Sequence, residues 1–135
     1  MWSLVVSLLG WLVVWTFWLF STRNSHPTFL LSFIVTSSLV CAYAAAAYGN
    51  HLLLIPRLWT RGLHWQYVAC LVTMMAIFTA FSLAIIRFSY TMICGPDTDP
   101  YGVYKHYAID LFGMVVHVAG AALIVWFASR LRNAD

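Results

Sequence analysis

The sequence predicts an all-α integral membrane protein: four transmembrane helices in an up-down-up-down bundle, with residues 1–135 forming one domain. Two observations predict it. Of the 135 residues, 63% are hydrophobic and 8% charged, where an ordinary soluble domain carries roughly 25% charge. The apolar residues also fall into four stretches, at about 2–20, 28–50, 65–87 and 104–128, each near the roughly 20 residues that span a bilayer's hydrocarbon core.

The first stretch begins without a charge and ends in Trp15-Thr16-Phe17-Trp18-Leu19-Phe20. It lacks the basic start and small-residue cleavage site of a secretory signal, so a retained helix is expected. Trp11, Trp15 and Trp18 recur at helical spacing and form a ridge that packs or meets lipid. Ser21-Thr22-Arg23-Asn24-Ser25-His26-Pro27 separates this helix from the second. The second helix carries Ser37, Ser38, Cys41 and the run Ala42-Tyr43-Ala44-Ala45-Ala46-Ala47-Tyr48-Gly49. Small residues let helix backbones approach closely in lipid, so Ala44, Ala47 and Gly49 are candidate packing positions and this helix should be the most crowded.

Turn chemistry follows at Pro56-Arg57-Leu58-Trp59-Thr60-Arg61-Gly62, and again after the third helix at Cys94-Gly95-Pro96-Asp97-Thr98-Asp99-Pro100. Short connections favour antiparallel neighbours. Trp2, Trp18, Trp59, Trp65 and Trp126 fall near predicted helix ends, where indole anchors at the headgroup level. The second loop and the C-terminal tail hold Arg57, Arg61, Arg130 and Arg132; the other side holds Arg23, Arg87 and Lys105. Lys and Arg collect on the inner face, so both termini are expected on the cytoplasmic or matrix-like side.

Composition also excludes classes. The basic residues cluster at most two at a time, too few to neutralise the several phosphates a nucleic-acid site contacts, so no nucleic-acid partner is expected. Cys41, Cys70 and Cys94 make an odd number without Cys-x-x-Cys spacing, which indicates neither a disulfide framework nor a zinc site. There is no Gly-x-Ser-x-Gly, no Gly-Lys phosphate loop and no His-Glu-x-x-His. No catalytic residue and no enzymatic activity are expected.

The fourth helix carries the one candidate site. His106, Asp110, Gly113, His117 and Gly120 share a face at helical spacing, and Asp110 stands one turn from His106. Ionisable residues inside a membrane are costly and suggest function. Three readings fit the stripe: a proton relay through Asp110 and His117, a haem or quinone contact, and a packing seam in which Gly113 and Gly120 admit a neighbouring helix. Depth bears on the haem. At about 1.5 Å per residue, His117 lies roughly 17 Å from the C-terminal end of its helix, whereas His51 and His64 stand at the membrane edge on that side. Those imidazoles do not converge on one iron, so a haem or quinone would sit at an interface shared with a partner.

The stretches Tyr43-Ala-Ala-Ala-Ala-Tyr-Gly-Asn-His-Leu-Leu-Leu-Ile-Pro56 and Gln66-Tyr-Val-Ala-Cys-Leu-Val-Thr73 resemble the second and third helices of microbial rhodopsins, over about residues 43–73. The departures fall on that family's functional positions. The one lysine, Lys105, stands at a helix start rather than mid-membrane in a final helix, and Gln66, Ala69 and Ala80 occupy the places of a proton pump's arginine and two aspartates. The resemblance therefore implies a helical framework and neither a retinal attachment nor a pump.

Taken together, the residues suggest a non-catalytic tetraspan accessory or structural subunit, in contact with lipids and with other subunits of a larger membrane complex of the respiratory or photosynthetic kind. The alternatives are a homo-oligomeric transporter or proton conductor using Asp110 and His117, and a redox subunit touching haem or quinone.

Overall fold

The computed structural model describes residues 2–96 and 100–132, with side chains at 5–96 and 105–130. Four long helices account for nearly all of it: α1 (Trp2–Thr22), α2 (Phe29–Gly49), α3 (His64–Cys94) and α4 (Pro100–Arg132). All four are long and apolar enough to cross a membrane, which is compatible with an integral, multi-pass protein.

Local chemistry sets the ends. A short 3-10 turn, Arg23–Ser25, closes α1, and His26 is extended before Pro27, as the residue preceding a proline tends to be. Thr28 caps α2, its hydroxyl accepting from the Leu31 N–H at 3.2 Å. The helix does not stop near residue 50. It widens into a π-type segment, Asn50–Trp59, that contains Pro56, and the chain leaves it through i→i+5 hydrogen bonds, Thr60 N–H to Ile55 C=O at 3.1 Å and Leu63 N–H to Leu58 C=O at 3.0 Å. Proline in a regular α-helix loses one hydrogen bond and its ring meets the carbonyl four residues back; the wider turn moves that carbonyl away. Residues 56–59, expected in a turn, are therefore helical, and the reversal falls at Gly62, whose φ of 76° suits glycine. The helices α3 and α4 run past the stretches 65–87 and 104–128, and α4 begins on Pro100, a residue favoured at a first helical position.

Hydroxyls along the helices bond back onto their own backbone: Thr16 to Leu12 at 2.8 Å, Thr22 to Trp18 at 2.8 Å, Ser89 to Ile85 and Thr91 to Arg87 at 2.9 Å. In hydrocarbon, where no water replaces a missing partner, this leaves the helices compatible with lipid.

Helix α2 is the hub. Of its most apolar stretch 44% is buried, against 22% for α3, 11% for α4 and 6% for α1. It contacts each of the other three. Ser7 hydrogen-bonds Tyr48 near one end of the α1–α2 pair, and the Trp15 indole donates to Ser37 at 3.0 Å farther along, the ordering of antiparallel neighbours. Ser38 meets Ser82 of α3 at 2.9 Å. Ala42, Tyr43 and Ala46 form the central cluster with Met75, Met114 and Val118, each at most 8% exposed. Gly49 lies against Met74, whose sulfur would stand 2.8 Å from an added Cβ.

At the far end of α3, Tyr90 hydrogen-bonds the His26 ring in the α1–α2 connection. Burial lowers the pKa of His26 from its ordinary value. A base depressed in the folded state binds fewer protons folded than unfolded, so stability rises with pH in that window. Thermal unfolding of the detergent-solubilised chain should therefore occur at lower temperature as pH falls below about 6.5, and His26→Gln should flatten that dependence. An unchanged slope in the variant would assign the pH response to another group.

Candidate functional site

Of the predicted stripe on α4, His106 is exposed, while Asp110, Gly113, His117 and Gly120 are half-buried. The elements around it decide which of these residues act together. Tyr43, buried in the small-residue run of α2, lays its ring on the His117 imidazole with centroids 4.4 Å apart and planes inclined by 22°. The approach needs glycine: a Cβ on Gly113 would stand 2.7 Å from the Tyr43 hydroxyl. From α1, the Trp18 indole reaches the same imidazole, its Nε1 3.2 Å from His117 Nε2. Three helices thus converge on one ring.

The hydrogen bonds assign the state of that ring. His117 Nδ1 lies 2.7 Å from the Gly113 carbonyl oxygen, which can only accept, so Nδ1 carries the proton. The indole N–H can only donate, so Nε2 is the acceptor. Both nitrogens of a neutral Nδ1–H imidazole are satisfied inside the chain. Binding a metal through Nε2 would require Trp18 to leave. Asp110 is within electrostatic reach of Tyr43 and of His106, so the acid extends the cluster toward the start of α4.

The remaining positions separate. A Cβ on Gly120 would meet nothing within 4 Å, so among the described residues no second helix approaches there. Ala47 is buried and Ala44 half-buried. Among the anchors, Trp59 packs against His64 at 4.6 Å and Tyr67 at 5.2 Å, Trp65 is 88% exposed, and Arg130 lies 5.3 Å over the Trp126 ring. The Trp2 side chain, Asp97 and Asp99 lie outside the described residues. Among the described residues, no three of His, Cys, Asp or Glu gather as metal ligands, and the cysteines Cys41, Cys70 and Cys94 are free and exposed.

Two partners of His117 were not legible as such. Trp18 reads as an interfacial anchor and Tyr43 as one member of an alanine run; the only hint is that each places a hydrogen-bonding aromatic beside small or apolar neighbours. No family model, curated protein or solved structure matches the chain, so the site is read from its residues.

Nitrogen-15 NMR of histidine-labelled protein in bilayers should show His117 as the neutral Nδ1–H tautomer. Trp18→Phe, which keeps the aromatic body and removes the donor, should shift the Nε2 resonance and lower stability by about 0.6 kcal/mol, the average for a hydrogen bond between membrane helices. A proton on Nε2 in the parent protein would contradict the assignment.

Proposed function

We propose that the chain is a non-catalytic tetraspan subunit that packs against other membrane proteins in a larger assembly, its helices alternating in direction across the bilayer and both termini on the cytoplasmic or matrix-like side. The observation that carries this reading is the closure of His117. The most deeply placed imidazole of the stripe spends both nitrogens on Trp18 and Gly113 and its face on Tyr43, the behaviour of a packing seam. What remains on offer is apolar surface: Val13, Phe17 and Phe20 on α1 and Phe112, Leu123 and Ile124 on α4 are each at least 60% exposed. Lipid covers such surface as readily as protein does, so close approach must come from small residues, and Gly120 is one that no described helix of this chain approaches.

A second reading is favoured by Asp110, an acid within an apolar span and within electrostatic reach of Tyr43 and His106. In a homo-oligomer it would line a shared path for protons or ions. A haem or quinone contact would have to form at an interface with a partner, because Trp18 occupies His117 Nε2.

Gentle-detergent purification from native membranes separates these readings. A reproducible set of different membrane chains with one copy of this one is the expected result. A homo-oligomer isolated alone, whose proton flux in liposomes is abolished by Asp110→Leu, would replace the subunit reading with conduction.

A further inference from the structure

Away from the His117 seam, the most constructed feature is the reversal between α2 and α3. Phe29 to Asn50 and Gln66 to Arg87 each span about 33 Å at about 1.5 Å per residue, close to the roughly 30 Å hydrocarbon core. With those segments set across the core, residues 51–65 would fall at headgroup depth. Side-chain contacts tie the two ends of this reversal together. The Tyr67 hydroxyl donates to the buried Asn50 side chain at 2.9 Å, Trp59 packs on both Tyr67 and His64, and Gly62 makes the turn.

The surface this scaffold presents is basic and apolar together. Arg57 and Arg61 are exposed, as are Leu52, Leu53, Trp59 and Trp65. No Asp or Glu occurs anywhere in residues 1–96, so neither α1, α2, α3 nor their connections supply a carboxylate for these arginines. A guanidinium takes a phosphate in a two-pronged hydrogen bond, and the flanking apolar side chains suit acyl chains better than water. We propose that this hairpin binds the phosphate headgroups of anionic phospholipids, with Arg57 and Arg61 as the headgroup contacts and Trp59 and Trp65 against the chains. The proposal rests on the membrane reading above and is independent of any protein partner.

The test is native mass spectrometry of the full chain in detergent, titrated with phosphatidylglycerol or phosphatidylcholine. Phosphatidylglycerol should bind more tightly, and each of Arg57→Gln and Arg61→Gln should weaken it about fivefold, the usual worth of one basic residue at an anionic membrane surface. Arg23→Gln, on another connection, should leave binding unchanged, and Arg57→Lys, which keeps the charge and loses the two-pronged geometry, should bind between the parent and Arg57→Gln. Inorganic phosphate at matched ionic strength should displace little lipid. Equal binding of the two lipids, full phosphatidylglycerol binding by a helical Arg57→Gln/Arg61→Gln double variant, or displacement by millimolar inorganic phosphate would overturn the proposal. A chain that retains neither lipid would overturn it together with the membrane reading.

Discussion

Polar groups surrounded by hydrocarbon must find partners within the protein, because no water is present to replace one that is missing. In this chain α2 meets that demand for its neighbours. Ser37 accepts from the Trp15 indole, Ser38 meets Ser82, Tyr43 stacks on His117 and Asn50 accepts from Tyr67. These contacts join α2 to α1, α3 and α4, and the alanines between them let the helices come close enough to form. Ser32 is the exception, a buried hydroxyl without a hydrogen-bond partner among the described residues. Without α2, α1 would lose the helix it packs against most.

The same demand shapes the site. A histidine within an apolar span has two nitrogens to satisfy, and α4 places His117 where its own backbone carbonyl and the Trp18 indole take one each. Gly113 makes room for Tyr43, so the ring is covered on a face as well. The arrangement joins three helices through one side chain and supports the proposal that the stripe serves packing. Asp110, within electrostatic reach of Tyr43 and His106, is an acid that such a seam does not require, and conduction through it is the second reading.

The number of helices was legible because each apolar stretch has the length of a span. Their boundaries were less so. Pro56-Arg57 carries ordinary turn chemistry, and nothing in its composition announces a π-type segment that tolerates a proline. The expectation that α2 is the most crowded helix followed from its small residues, and Gly113 was legible as a point of close approach. Its partner was not. Transmembrane helices are apolar on every side, so periodicity does not say which face of α1 meets α4, and the roles of Trp18 and Tyr43 emerge only once three helices are assembled.

The most direct test of α2 as the hub is disulfide trapping at its contact with α3. Ser38 and Ser82 hold their hydroxyl oxygens 2.9 Å apart, a separation from which two cysteine sulfurs can reach bonding distance with small adjustment. In a chain whose Cys41, Cys70 and Cys94 are replaced by alanine, Ser38→Cys with Ser82→Cys should form a disulfide within single chains in the bilayer under mild oxidation. Failure to form it, or crosslinking between chains alone, would contradict the packing of α2 against α3 on which the structure depends.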